Sequence, residues 1–123
     1  MNMHKIQETV SITDALAAAS RGAGTVTSTG IDLTDYKGDV LWHISRGNAG
    51  VGTLDAKVQE SADNSSWTDV SPALAITQLT AAGTAKLAIR VRQATKRYVR
   101  ISATVAAAAV EFGVTEIKLA AQL

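Results

Sequence analysis

The chain of 123 residues predicts an all-β fold: an antiparallel β-sandwich, jelly-roll-like, with seven to eight short strands and an N-terminal arm. Three observations predict it. Apolar and polar residues alternate at period two in one segment after another, the mark of strands with one dry and one wet face. Turn-forming clusters of Gly, Asn, Asp and Ser recur at intervals of roughly ten residues. Helical patterns do not alternate with the strands, as a parallel sheet would require. The clearest case is Gly52 to Val70, where Leu54, Ala56 and Val58 alternate with Asp55, Lys57 and Gln59. The polar cluster Ser61-Ala62-Asp63-Asn64-Ser65-Ser66 then turns the chain, and Trp67 returns as a large aromatic able to lie across the core.

The remaining elements follow in order. The length fits one domain over residues 1–123, with residues 1–24 as an extended arm or short helix ahead of the main sandwich. His4, Ile6, Glu8, Val10 and Ile12 alternate as an arm or strand would, and Asp14 to Ser20 reads as a short helix capped by Thr13 or Asp14. Thr25 to Leu33 is β-prone, Asp32 to Gly38 a loop, and Val40 to Ser45 a strong strand closed by a glycine-rich turn. Leu74 to Leu79 predicts a weak strand. Leu87, Ile89 and Val91 predict a strand with Arg90 and Arg92 on its outer face, paired as a hairpin with the strand Tyr98 to Val105, whose outer face carries Arg100. Ala106 to Ala109 reads as a loop between strands. Val110, Phe112 and Val114 restart the alternation, and Ile117 and Leu119, one step out of phase, predict a bulge near Thr115-Glu116.

Composition narrows function. The chain has no cysteine, which excludes disulfides and thiolate metal sites. Its N-terminus lacks the apolar region of a secretory signal, and no apolar run approaches the ~20 residues of a bilayer span, so synthesis in the cytoplasm and no membrane partner are expected. His4 and His43 are the only imidazoles and have no ligand-spaced companions. Asp32, Asp35 and Asp39 lack the calcium-loop pattern, and Gly47 to Gly52 precedes a strand where a phosphate loop needs a helix. No catalytic residue, cofactor or metal is therefore expected, and the reading is of a protein that is not an enzyme.

Charge is distributed more tellingly than the net +1. Between Val70 and Val110 stand Lys86, Arg90, Arg92, Lys96, Arg97 and Arg100 with no acid, while all 11 acids lie elsewhere. Such a face is either simply solvated or docks on an acidic protein surface. Direct nucleic-acid binding is not expected, because no aromatic platform accompanies the basic stripe and net charge is low.

The runs Asp32-Leu33-Thr34-Asp35-Tyr36-Lys37-Gly38-Asp39-Val40, Gly52 to Val70 with its Lys57-Val58-Gln59-Glu60-Ser61 and Trp67-Thr68-Asp69, and Thr95-Lys96-Arg97-Tyr98-Val99-Arg100 resemble small structural proteins of tailed bacteriophages and prophages. The likeness covers roughly residues 30 to 105 and rests on fold-forming residues. It implies a capsid decoration (cement) protein on the outer capsid surface of the virion, a homo-dimer or homo-trimer gripping joints between subunits of the major capsid protein. Arg90, Arg92, Lys96, Arg97 and Arg100, with Ile6 and Val10 of the N-terminal segment, are the expected protein-docking residues. A tail or head-completion protein, or a carbohydrate- or receptor-binding module, are the alternatives.

Overall fold

A computed structural model describes residues 10–33, 39–47, 51–71, 73–90 and 96–119. Ile6, Tyr36, Pro72 and Arg92 fall outside them, as do residues 1–9 of the expected arm. The described residues form nine strands in two antiparallel sheets, and no helix. The strands are β1 (Val10–Arg21), β2 (Gly24–Thr27), β3 (Ile31–Asp32), β4 (Asp39–Arg46), β5 (Thr53–Ser61), β6 (Thr68–Asp69), β7 (Gly83–Arg90), β8 (Tyr98–Ala106) and β9 (Val110–Leu119).

One sheet has the order β1-β9-β4-β7; the other runs β2-β8-β5-β6, with β3 also paired to β8. Each sheet thus interleaves strands from both halves of the chain, the arrangement of a jelly roll. There are nine strands where seven to eight are expected because one position is interrupted. β2 and β3 both pair with β8, and Ser28 bridges the break. Its N–H donates to the Ile101 carbonyl at 3.0 Å, and its Oγ accepts from the Ile101 N–H at 3.0 Å.

Alternation explains the interior. Val40, Trp42 and Ile44 of β4 and Val110, Phe112 and Val114 of β9 face Leu54, Ala56 and Val58 of β5 and Val99, Ile101, Ala103 and Val105 of β8, all buried. Each fully buried aliphatic or aromatic side chain contributes about 1.5–3 kcal/mol relative to exposure. Trp42 and Phe112 are the largest side chains with no appreciable exposure. The Trp42 indole N–H, which a dry interior would leave unpaired, donates to Glu116 Oε1 at 2.9 Å.

Five expectations are corrected here. The segment Asp14 to Ser20 is strand, not helix: β1 pairs with β9 from Val10↔Leu119 to Arg21↔Val110. Two turns of helix gain less than a full antiparallel ladder, so tertiary pairing overrides alanine's local preference. The bulge lies in β1, between Asp14 and Leu16 and again between Leu16 and Ala19, whereas β9 pairs β4 without a break from Lys118 to Phe112. Glu116 therefore stays in phase on the inner face, and Ile117 turns outward. The Arg21 guanidinium secures the bulged segment, donating to the carbonyls of Ala17, Ala19 and Phe112 and lying 4.6 Å from the Phe112 ring centroid.

The third correction concerns the basic hairpin, which does not form. β7 pairs β4 over eight registered pairs at the edge of one sheet, while β8 is central in the other. The fourth concerns Trp67, which is half-buried and lies outside the core. Leu74 to Leu79 is not a strand but an extended crossing along β5, with bridges Leu54↔Leu79 and Lys57↔Ala75. The loop expected at Ala106–Ala109 spans Ala107 to Ala109, since Ala106 still ends β8, and Ala107 has φ of 69°.

Two measurements check these assignments. Glu116→Ala strands the buried indole N–H and should lower unfolding free energy by about 1–3 kcal/mol, with a smaller loss when Trp42→Phe is already present. Ala107→Gly relieves a left-handed residue bearing a Cβ and should stabilise by up to about 1 kcal/mol; chemical denaturation reads both.

Candidate docking surface

The two sheets present unlike exteriors. On the sheet containing β5 and β8, the positions facing away from the core form polar rows set by register: Tyr98 beside buried Ser61, Arg100 beside Gln59, buried Ser102 beside Lys57, and Thr104 beside Asp55. β2 extends two of these rows, and Thr25 Oγ1 meets Thr104 Oγ1 at 3.0 Å. Asp69 on β6 accepts from Lys57 Nζ at 3.1 Å and Gln59 Nε2 at 3.2 Å. Asp55 accepts from Gln78 at 2.8 Å. Such exposed pairs align side chains more than they stabilise.

Trp67 leaves the polar turn and lies over this face, its ring centroid 4.3 Å from the Arg100 guanidinium carbon. Arg100 Nε donates to Gln59 Oε1 at 3.0 Å. Behind the ring stands Gly30, where a Cβ would come within 2.9 Å of Trp67 Cη2 and collide with Asn64 Oδ1. Only glycine lets the tryptophan settle there. The turn itself is organised by Asp63, whose Oδ1 accepts from the Ser66 N–H at 2.9 Å, the Ser65 N–H at 3.0 Å and the Ser61 hydroxyl at 2.9 Å. Asn64 takes the left-handed φ of 59° that its side chain tolerates.

Of the expected docking residues, the structure gathers some and separates others. Arg100 lies under Trp67, and Lys96 Nζ reaches Thr68 Oγ1 at 3.2 Å. Arg97 forms a two-pronged pair with Asp32, at 2.9 and 2.6 Å, and lies 5.1 Å from the Tyr98 ring centroid. Arg90 ends β7 in the other sheet, opposite Asp39, and Val10 begins β1 opposite Leu119. Arg92 and Ile6 lie outside the described residues.

Sequence reasoning missed a row on the other exterior. Ile12, Ile117, Leu41 and Ala88 are in register across β1, β9, β4 and β7. Ile12 is 65% exposed. Asp14, Thr115, His43 and Lys86 form the adjacent row, which places half-buried His43 beside polar neighbours. The signal was present in Ile117 being out of phase with Phe112 and Val114, which marks a change of face. Among the described residues no group of three His, Asp or Glu side chains could hold a metal ion, and no helix is long and apolar enough to cross a membrane. A polar cleft of about 360 Å³ opens between Thr13 to Ala15 and Ser28 to Asp32, with Glu116 and Lys118 on its wall.

The model of the Bbp16 family matches residues 23–118. A search of curated proteins finds no match. Among solved structures, the exported protein XepA of PBSX superposes with a TM-score of 0.69 at 16% identity, over 96% of this chain and 39% of XepA. The SPBc2 prophage-derived protein YomS gives 0.58 at 10% identity, covering 90% of this chain and 93% of YomS. A structure of infectious bursal disease virus, Gx strain, gives 0.54 at 14% identity, over 89% of this chain and 32% of that one. At these identities the likeness is one of fold.

The turn and its neighbour supply a pH test. The Ser66 and Ser65 N–H groups, then the Ser61 hydroxyl, hold the Asp63 carboxyl below its ordinary 3.8, and Lys57, then Gln59, do the same for Asp69. A depressed acid contributes stability above its unfolded value and loses it as pH falls through the folded one. Melting temperature should therefore fall as pH drops below about 4. Asp63→Asn, which keeps the acceptor without the charge, should flatten that limb.

Proposed function

This chain belongs to the Bbp16 family, and from that premise we propose that it is a virion structural protein: a capsid decoration protein on the outer surface of a phage head. In this reading it bridges neighbouring subunits of the major capsid protein, as a homo-dimer or homo-trimer, and performs no catalysis. The observation that carries the reading is the jelly-roll fold that this chain shares with the prophage-derived YomS and with an infectious bursal disease virus structure. The run Lys57 to Ser61, the return Trp67-Thr68-Asp69 and the strand from Lys96 to Arg100 support it by their likeness to cement proteins.

The physical role follows from linkage. A protein that binds joints present only in the assembled shell stabilises that shell by mass action. Repetition over the head lets individually weak contacts act together. A jelly roll suits the task because its core is closed and its two exteriors are free to differ. Lys96 and Arg100 flank the Trp67 end of the polar sheet, and this end is the proposed contact with the capsid.

Purified protein mixed with heads lacking it should co-sediment at hundreds of copies per particle and raise the temperature at which the heads rupture. A dozen or fewer copies would instead indicate a vertex or tail position. Lys96→Glu combined with Arg100→Glu should reduce head occupancy about tenfold or more while leaving the melting temperature of the free protein within a few degrees.

A further inference from the structure

We propose that Arg100, clamped between Gln59 and Trp67, is a preorganised receptor for a carboxylate on an acidic partner protein. The side chain is fixed twice: Nε donates to Gln59 Oε1 at 3.0 Å, and the guanidinium lies 4.3 Å from the Trp67 ring centroid. The ring packs close to Gly30, where a Cβ would come within 2.9 Å of Trp67 Cη2. The plane of the fork is therefore set before any partner arrives, which lowers the entropic cost of binding.

Two other cations of this surface are already paired with carboxylates, and Lys96 reaches only the Thr68 hydroxyl. Arg97 is matched to Asp32, and Lys57 to Asp69. Among the described residues no carboxylate pairs with Arg100, and its Nη1 and Nη2 have no hydrogen-bond acceptor. Partial burial draws its guanidinium below the ordinary value by desolvation, a penalty that an incoming carboxylate offsets. Two parallel N–H donors on a fixed plane match the two oxygens of a carboxylate. A nucleic-acid backbone fits less well, because Asp69 and Asp55 share the face and repel a run of phosphates.

The inference rests on the proposed function for which protein supplies the carboxylate, and on Arg100 and Trp67 alone for the chemistry. The test uses the free protein first. Hexaglutamate, titrated against the isotopically labelled chain, should shift the Arg100 Nε–H and Trp67 indole N–H resonances saturably, and hexalysine should not. Arg100→Gln should weaken this binding about tenfold or more, and Arg100→Lys, which keeps charge without the fork, by less. Shifts that persist in Arg100→Gln, or tighter binding of inorganic phosphate than of hexaglutamate, would overturn the assignment. Trp67→Leu gives a second test, expected to weaken hexaglutamate binding by freeing the fork; unchanged affinity counts against the clamp. Head occupancy of the same variants is then measured. Wild-type protein absent from heads rejects the decoration reading, while the peptide titration still decides the site.

Discussion

The sandwich is closed around one buried polar contact, the Trp42 indole N–H donated to Glu116 Oε1 at 2.9 Å. Trp42 is the largest side chain of a core otherwise made of Val, Ile, Leu and Ala with Phe112. Burying its ring contributes much to cohesion, but the ring brings a donor that water would otherwise satisfy. Glu116 answers it from the adjacent strand, with Lys118 Nζ 4.0 Å from the second carboxylate oxygen. The pairing of β4 with β9 in one register only lets Trp42 lie directly beside Glu116. A slip by one residue would turn the carboxylate to solvent and bring Ile117 inward.

From that register the exteriors follow. Once Glu116 is inside, Ile117 must be outside, and the unbroken ladders carry its row to Leu41, Ala88 and Ile12. The opposite sheet obeys the same rule with a different result. Val58, Ile101 and their neighbours fill the inner face, which leaves Lys57, Gln59 and Arg100 to meet solvent. Trp67 then lies across that polar face, outside the core. The surface on which Arg100 is held is a consequence of core packing as much as of its own charge.

The edges are handled unequally. β1 is an edge strand interrupted by two register shifts and gripped by Arg21, features that disfavour further strand pairing. β5 is covered by the Val70–Leu79 crossing, whose backbone bonds to Val58, Ala56 and Leu54 replace a regular partner. The protein thereby satisfies much of the backbone of a central strand with a segment too irregular to be recognised from alternation.

How legible this was in the sequence depends on range. Period-two alternation, turn chemistry at Ser61 to Ser66 and the absence of helical patterning determined the all-β sandwich, and they located β4, β5, β8 and most of β9. The cations proposed for docking were visible as residue types. Only the tertiary structure decided which strands became neighbours. It sent β7 and β8 to different sheets, converted Asp14 to Ser20 from helix to strand, and laid Trp67 over Arg100. The reason is that alternation is a property of a few consecutive residues, whereas pairing in a jelly roll joins residues as distant as Val10 and Leu119. No local pattern encodes those contacts; the core that all the strands must share selects them.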